Sequence, residues 1–225
     1  MKLVMENWKK YLKDLVVNNP FSSWLEENQP EFVRIQNFAI SRTNHLFLWT
    51  PKGPQRKKLI NKANSAKGTP DERRARDRLR DWDDNAYRGN AFRHMLTSLM
   101  ISHISMGPEL TSMAGYAKEA ADLIYKNVGT RMSSISILQD SEVDSGNNEA
   151  GVELSKRFSH ISPDKMKNEQ YVKAVLYRIE EGEFWLDPKG DPQGKDGIIT
   201  SAPIIKYKDL IKLRERHRAR LEREK

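Results

Sequence analysis

Cysteine is absent from the 225-residue chain, which removes a disulfide framework, a Cys-ligated zinc site and a thiol nucleophile together. Long apolar runs are missing too. Nothing approaches the roughly 18 apolar residues of a membrane helix, and Met1–Lys13 is too charged for the core of a secretory signal. Neither a membrane partner nor a signal peptide is expected. The familiar chemical signatures are also lacking: no Gly-rich phosphate loop before Lys-Ser/Thr, no His-Glu-x-x-His and no Gly-x-Ser-x-Gly elbow. Asp187, Asp191 and Asp196 lie among glycines without EF-hand spacing or its closing Glu. The sequence implies no cofactor and no metal site. Hydrophobic residues make up 37% and charged ones 31%, polar for a folded chain but not poor enough in large apolar residues for wholesale disorder.

Charge is concentrated rather than spread. The whole chain carries 39 Lys+Arg against 31 Asp+Glu, a balance of +8. Residues 52–80 hold 11 basic and 3 acidic side chains, and residues 206–225 hold 9 and 4, so the remainder is net acidic. Two basic segments of this kind suit an acidic protein surface or a nucleic acid; the alternative is a pair of solvated helices.

The pattern along the chain is helical. Leu3, Trp8, Leu12, Leu15 and Val16 recur at helical spacing, and Phe21 to Phe38 continues the apolar pattern. Leu46-Phe47-Leu48-Trp49 is a short strand or extended segment closed by Pro51, Gly53 and Pro54, and Ala63–Gly68 reads as a loop. Thr69-Pro70-Asp71-Glu72 forms a capping box opening a surface helix to about Asp83, whose arginines pair with interleaved aspartates. An apolar helix from about Arg88 to Met106 stops at Gly107-Pro108. A second, Glu109–Lys126, packs on it through Leu110, Met113 and Ala114 as an antiparallel hairpin. Ser133–Glu142 reads as a polar connection, Gly146–Phe158 as a helix, and Ser162-Pro163-Asp164 as the start of another that ends at Gly182. Phe184–Leu186 can pair with Ile198–Thr200. A last helix, Tyr207–Glu224, carries a thin stripe of Leu210, Leu213, His217 and Leu221, with Arg214, Arg216, Arg218 and Arg220 expected to face outward. It should pack along the domain or dock on a second molecule, and its removal is expected to leave a folded domain.

The expected fold is therefore mainly α: a compact helical domain around an antiparallel helix hairpin, with a small two-stranded β element near the C-terminus. Composition divides it into an N-terminal helical region with a basic loop (1–69), a core helical domain (70–186) and a loop, short strand and basic C-terminal helix (187–225).

Two polar clusters could carry chemistry. Asn90-Ala-Phe-Arg93-His94 opens the most apolar helix, where an Arg-His pair is costly to bury unless something polar is recognised or satisfied. Asn90, His94 and Ser98 share a face by their spacing of four. His103, nine residues past His94, falls half a turn away on an ideal helix, so the two histidines make no ligand pair. The second cluster is Asp144-Ser-Gly-Asn147-Asn148-Glu-Ala-Gly151, where Gly151 would let another helix approach closely. If this turn packs against the His94 helix, Asp144 or Asn147 orients the imidazole, or an anion sits beside Arg93.

In this order (Asn-Ala-Phe-Arg93-His94, a helix after Gly107, Asp144-x-x-Asn147-Asn148-x-x-Gly151, and a helix ending Glu-Glu-Gly182-Glu) the chain resembles an uncharacterised domain of bacterial secreted, cell-wall and polymorphic-toxin-like proteins and of phage proteins. The resemblance spans roughly Asp84–Leu186. The family usually closes its second helix with His-Glu, where this chain has Glu119-Ala-Ala-Asp122-Leu-Ile-Tyr125, and sets a His before the paired Asn, where this chain has Gly146 or Ser145. The copy is thus degenerate, keeping one of three histidines. The opening residues also look like those of short phage and bacterial proteins. Two readings follow. The first is a non-catalytic binding or structural protein, phage-type or bacterial, in which Asn90, Asn147, Asn148, Arg214 and Arg218 serve binding. The second is a hydrolase or toxin-like effector with His94, Arg93 and Asp144 as its catalytic residues. Either reading accommodates a homo- or hetero-oligomer, and a place in a virion or a host cytoplasm.

Overall fold

The computed structural model describes residues 30–47, 52–116, 134–187 and 204–223. They are mainly helical: α1 Pro30–Phe47, α2 Lys52–Ser65, α3 Glu72–Ile101 running into a π turn Ser102–Met106, α4 over 107–116, α5 Ser134–Phe158, a 3-10 turn Pro163–Lys165, α6 Asn168–Glu180 and α7 Tyr207–Arg223. The β element is one antiparallel pair, β1 Trp185–Leu186 with β2 Ile205–Lys206, in the register Trp185↔Lys206 and Leu186↔Ile205. No described helix is long and apolar enough to cross a membrane. The expectations for residues 3–29 and for Ala117–Lys126 lie outside the described residues.

The chain packs as two compact units interleaved in sequence, one drawn from 1–40 and 94–175, the other from 41–93 and 176–225. In the first, Met95, Leu96, Leu99 and Met100 of α3 are buried together with Val143, Val152 and Leu154 of α5 and Tyr171, Val172 and Val175 of α6. Gly107, at φ 76°, supplies the left-handed turn that ends the π turn before Pro108, as the sequence leads one to expect. Leu110 and Met113 on α4 correct the expected hairpin packing: they are 58% and 67% exposed.

In the second unit, Phe184 stacks on Tyr207 with ring centroids 4.9 Å apart, and Phe47 lies 5.4 Å from Phe92. Arg214 of α7 is buried, and its Nη1 and Nη2 donate to Asp84 Oδ2 and Oδ1 at 3.0 and 3.1 Å. Tyr207 donates to the same carboxylate at 3.1 Å. Arg214 does not face outward, because a fork-shaped guanidinium satisfies an otherwise costly partly buried carboxylate in both its oxygens. Arg216, Arg218 and Arg220 are exposed.

Other departures have local causes. The two helices expected from Pro70 and Arg88 are one, since Ala75, Leu79, Asp83 and Ala86 carry a buried stripe through the polar Asp81–Asn85 stretch. Glu72 reaches past Thr69 to accept from the Gly68 N–H at 2.7 Å, and Thr69 Oγ1 donates to Ala66 O, so the helix begins at Glu72. Residues 52–65 are helical because Pro54 falls in the first turn, where no intrahelical N–H is needed. Ser162-Pro163-Asp164 opens only a 3-10 turn, with α6 starting at Asn168. The partner of β1 is Ile205–Lys206 rather than Ile198–Thr200, which lies outside the described residues.

Candidate functional site

The first unit centres on the contact between the end of α3 and α5. Ser133–Glu142 is not a connection: α5 runs unbroken from Ser134, so Asp144–Gly151 lies in mid-helix rather than at a capped start. Asp144, Asn147 and Gly151 thereby fall on one stripe, and all three are buried.

Contacts climb both helices together. His94 Nε2 faces Asp144 Oδ1 at 3.2 Å, and Nδ1 faces Asn148 Oδ1 at 3.1 Å. Ser98 donates to the same Asn148 oxygen at 3.0 Å. Further on, Ser102 Oγ lies 2.5 Å from Ser155 Oγ, which donates to Val152 O at 2.7 Å. The two helices therefore run parallel, and they approach closely enough that a Cβ on Gly151 would stand 2.4 Å from Met95 O. A glycine there is a requirement of the crossing.

The imidazole of His94 thus has an oxygen beside each ring nitrogen. His94, Ser98, Asp144 and Asn147 are each less than a tenth exposed. Ser98 turns to Asn148 rather than to His94. These contacts link Ser98, Asn148, His94 and Asp144 in that order. Asn90 and Arg93 belong to the other unit, where Arg93 Nη2 donates to Asn90 Oδ1 at 3.0 Å.

Sequence reasoning set His103 aside, yet the structure gives it fixed partners. His103 lies in the π turn, so its helical phase differs from that of an ideal α-helix. His103 Nε2 lies 3.0 and 2.9 Å from the carbonyls of Phe158 and Ile161, which fixes the proton there. Nδ1 then accepts from Tyr171 OH at 2.6 Å. The ring holds the last carbonyl of α5 and one in the turn beyond it, and burial raises the pKa of Tyr171 above the ordinary tyrosine value. No spacing in the sequence signals this contact.

A cavity of about 500 Å³ opens beside it, walled by Ser102, His103, Ser155, Lys156, Ser159 and His160 among others. Along its wall Ser155 donates to Val152 O, Ser159 to Lys156 O, and the exposed Lys156 Nζ to Glu153. Among the described residues, no three His, Asp or Glu side chains gather as a metal-binding group. Comparison of the chain with protein-family models, with curated proteins and with solved structures finds no match in any of the three.

Proposed function

We propose that this is a non-catalytic binding or structural protein, phage-type or bacterial, whose polar cluster serves its architecture and whose basic segments, 52–80 and 206–225, dock on an anionic partner. The observation that carries the reading is the packing of the cluster into a helix crossing. His94 faces Asp144 and Asn148, and Ser98 donates to Asn148, where α3 and α5 meet with no room for a Cβ on Gly151. A buried polar group needs such partners for stability alone. The degenerate resemblance, with two of three histidines missing, supports the same conclusion. Within the C-terminal segment, Arg216 and Arg218 take the contact role expected of Arg214, since Arg214 is occupied by Asp84.

The test is an activity panel on purified protein against nucleic acid, peptidoglycan and lipid, with His94→Gln as the control. The reading expects no turnover by either protein. Hydrolysis by the wild type that His94→Gln abolishes, at an unchanged melting temperature, would establish the effector reading instead.

A further inference from the structure

We infer that the cleft between the end of α2 and the first turns of α3 binds the phosphate backbone of a nucleic acid, through Lys62, Arg74 and Arg78. This rests on the reading of the protein as a binding protein and names its partner class. The cleft, of about 230 Å³, is lined by Lys62, Ala66, Asp71, Arg74, Ala75 and Arg78. Three cations thus face one carboxylate. That carboxylate is loosely held: Arg74 and Asp71 stand 3.7 Å apart with both side chains more than three-quarters exposed, a pairing that solvent renders weak.

The basic side chains of this region sort into two groups. Arg76 is held by Glu72 at 2.8 Å, and Arg80 by Asp77 at 3.0 Å. Lys62 and Arg78, in contrast, have no ion-pair partner among the described residues, and neither do the exposed Lys57, Lys58 and Arg73. The sequence of α2 holds five basic residues and no acidic one. Charge left uncompensated by the protein is therefore gathered on and beside the cleft rather than scattered along α3.

The walls are pre-formed. Gly68, at φ 79°, makes the turn; its N–H donates to Glu72 Oε2, and Thr69 Oγ1 donates to Ala66 O, both at 2.7 Å. Arg74 and Arg78 stand one helical turn apart, a rise of about 6 Å, which sets two guanidinium forks in series along a strand. A protein partner fits less well. Protein interfaces are anchored by Trp, Tyr and Arg seated in desolvated pockets; here the arginines are exposed and the only apolar side chains lining the cleft are two alanines. Phosphate contacts need charge and hydrogen bonds alone. Contacts to phosphate carry no sequence information, so binding is indifferent to base sequence.

The experiment measures fluorescence anisotropy of a short labelled oligonucleotide of mixed sequence with the full chain over a salt series. Wild type should bind, with affinity falling steeply as salt rises. Lys62→Gln/Arg74→Gln/Arg78→Gln should weaken binding at least about tenfold and reduce the log–log salt slope by about 0.7–0.9 per lost contact. Single Arg78→Gln should remove about one such increment, and Lys62→Arg should bind like wild type. Because the three side chains are exposed, melting temperatures should not move. Unchanged binding by the triple variant, with loss in Arg216→Gln/Arg218→Gln, would overturn the cleft while sparing the binding reading. Binding of polyglutamate but not of oligonucleotide would overturn the phosphate assignment alone. Binding of neither would overturn both.

Discussion

Gly151→Ala is the sharpest perturbation of the helix crossing. A Cβ at this position would lie 2.4 Å from Met95 O and 3.0 Å from both the carbonyl carbon and Cα of Met95. Comfortable heavy-atom contacts begin near 3.5 Å, so α5 and α3 would have to separate by about 1 Å. The obstacle is backbone, which no rotamer change can clear. Overpacking of this kind costs about 1–3 kcal/mol, and a rigid clash belongs at the upper end. Alanine returns about 1 kcal/mol of helix propensity. The net expectation is a loss of about 2 kcal/mol, or about 4–8 °C in melting temperature for a chain of this size. Separation would also stretch the bonds from His94 and Ser98 to Asn148. Thermal unfolding followed by far-UV circular dichroism measures the shift. Gly115→Ala is the matched control: its Cβ would meet Asn148 Nδ2 at 3.7 Å, an ordinary contact, so that variant should melt at or slightly above wild type. If Gly151→Ala melts as high as wild type, the close crossing is wrong.

Asp84→Ala strands the buried Arg214 guanidinium and should cost about 3 kcal/mol by chemical denaturation, whereas Asp84→Leu/Arg214→Met should recover most of that loss; equal loss in single and double variants would refute the pairing. Deleting 207–225 should unfold the second unit rather than leave it intact, because Tyr207 and Leu210 are core residues; a cooperative melt unchanged by the truncation would contradict this. Lys206 and then Lys208 hold Glu183 at a pKa of about 2, against an ordinary 4.5. A depressed carboxylate stabilises the fold above its unfolded value and loses that contribution as pH falls through its folded value. Acid titration of stability between about pH 4.5 and pH 2 should therefore be shallower in Glu183→Gln than in wild type; identical slopes would argue against the clasp.

The sequence displays its stops better than its starts. Gly107-Pro108 and Gly182 end helices where expected, because a left-handed residue or a missing N–H is a purely local property. The start of α5 is concealed because Asp144, Asn147 and Asn148 suit a helix cap by type, while here they face α3 from mid-helix. Likewise Asp83-Asp84-Asn85 looks like a break, and only the distant Arg214 and Tyr207 explain why a carboxylate is kept there. The pairing of His94 with the Asp144–Gly151 stretch is legible, since a glycine between polar residues one turn apart advertises a close crossing. His103 is not, as its partners are backbone carbonyls and a tyrosine remote in sequence.

The architectural role of the polar cluster is tested most directly by a double-mutant cycle on unfolding free energy with His94→Ala, Asp144→Ala and the pair. Buried partners 3.2 Å apart should show a coupling of about 1–3 kcal/mol, each single variant losing most of what the double loses. Additive single losses, with coupling below about 0.5 kcal/mol, would show that the two side chains do not hold the crossing together and would contradict the account.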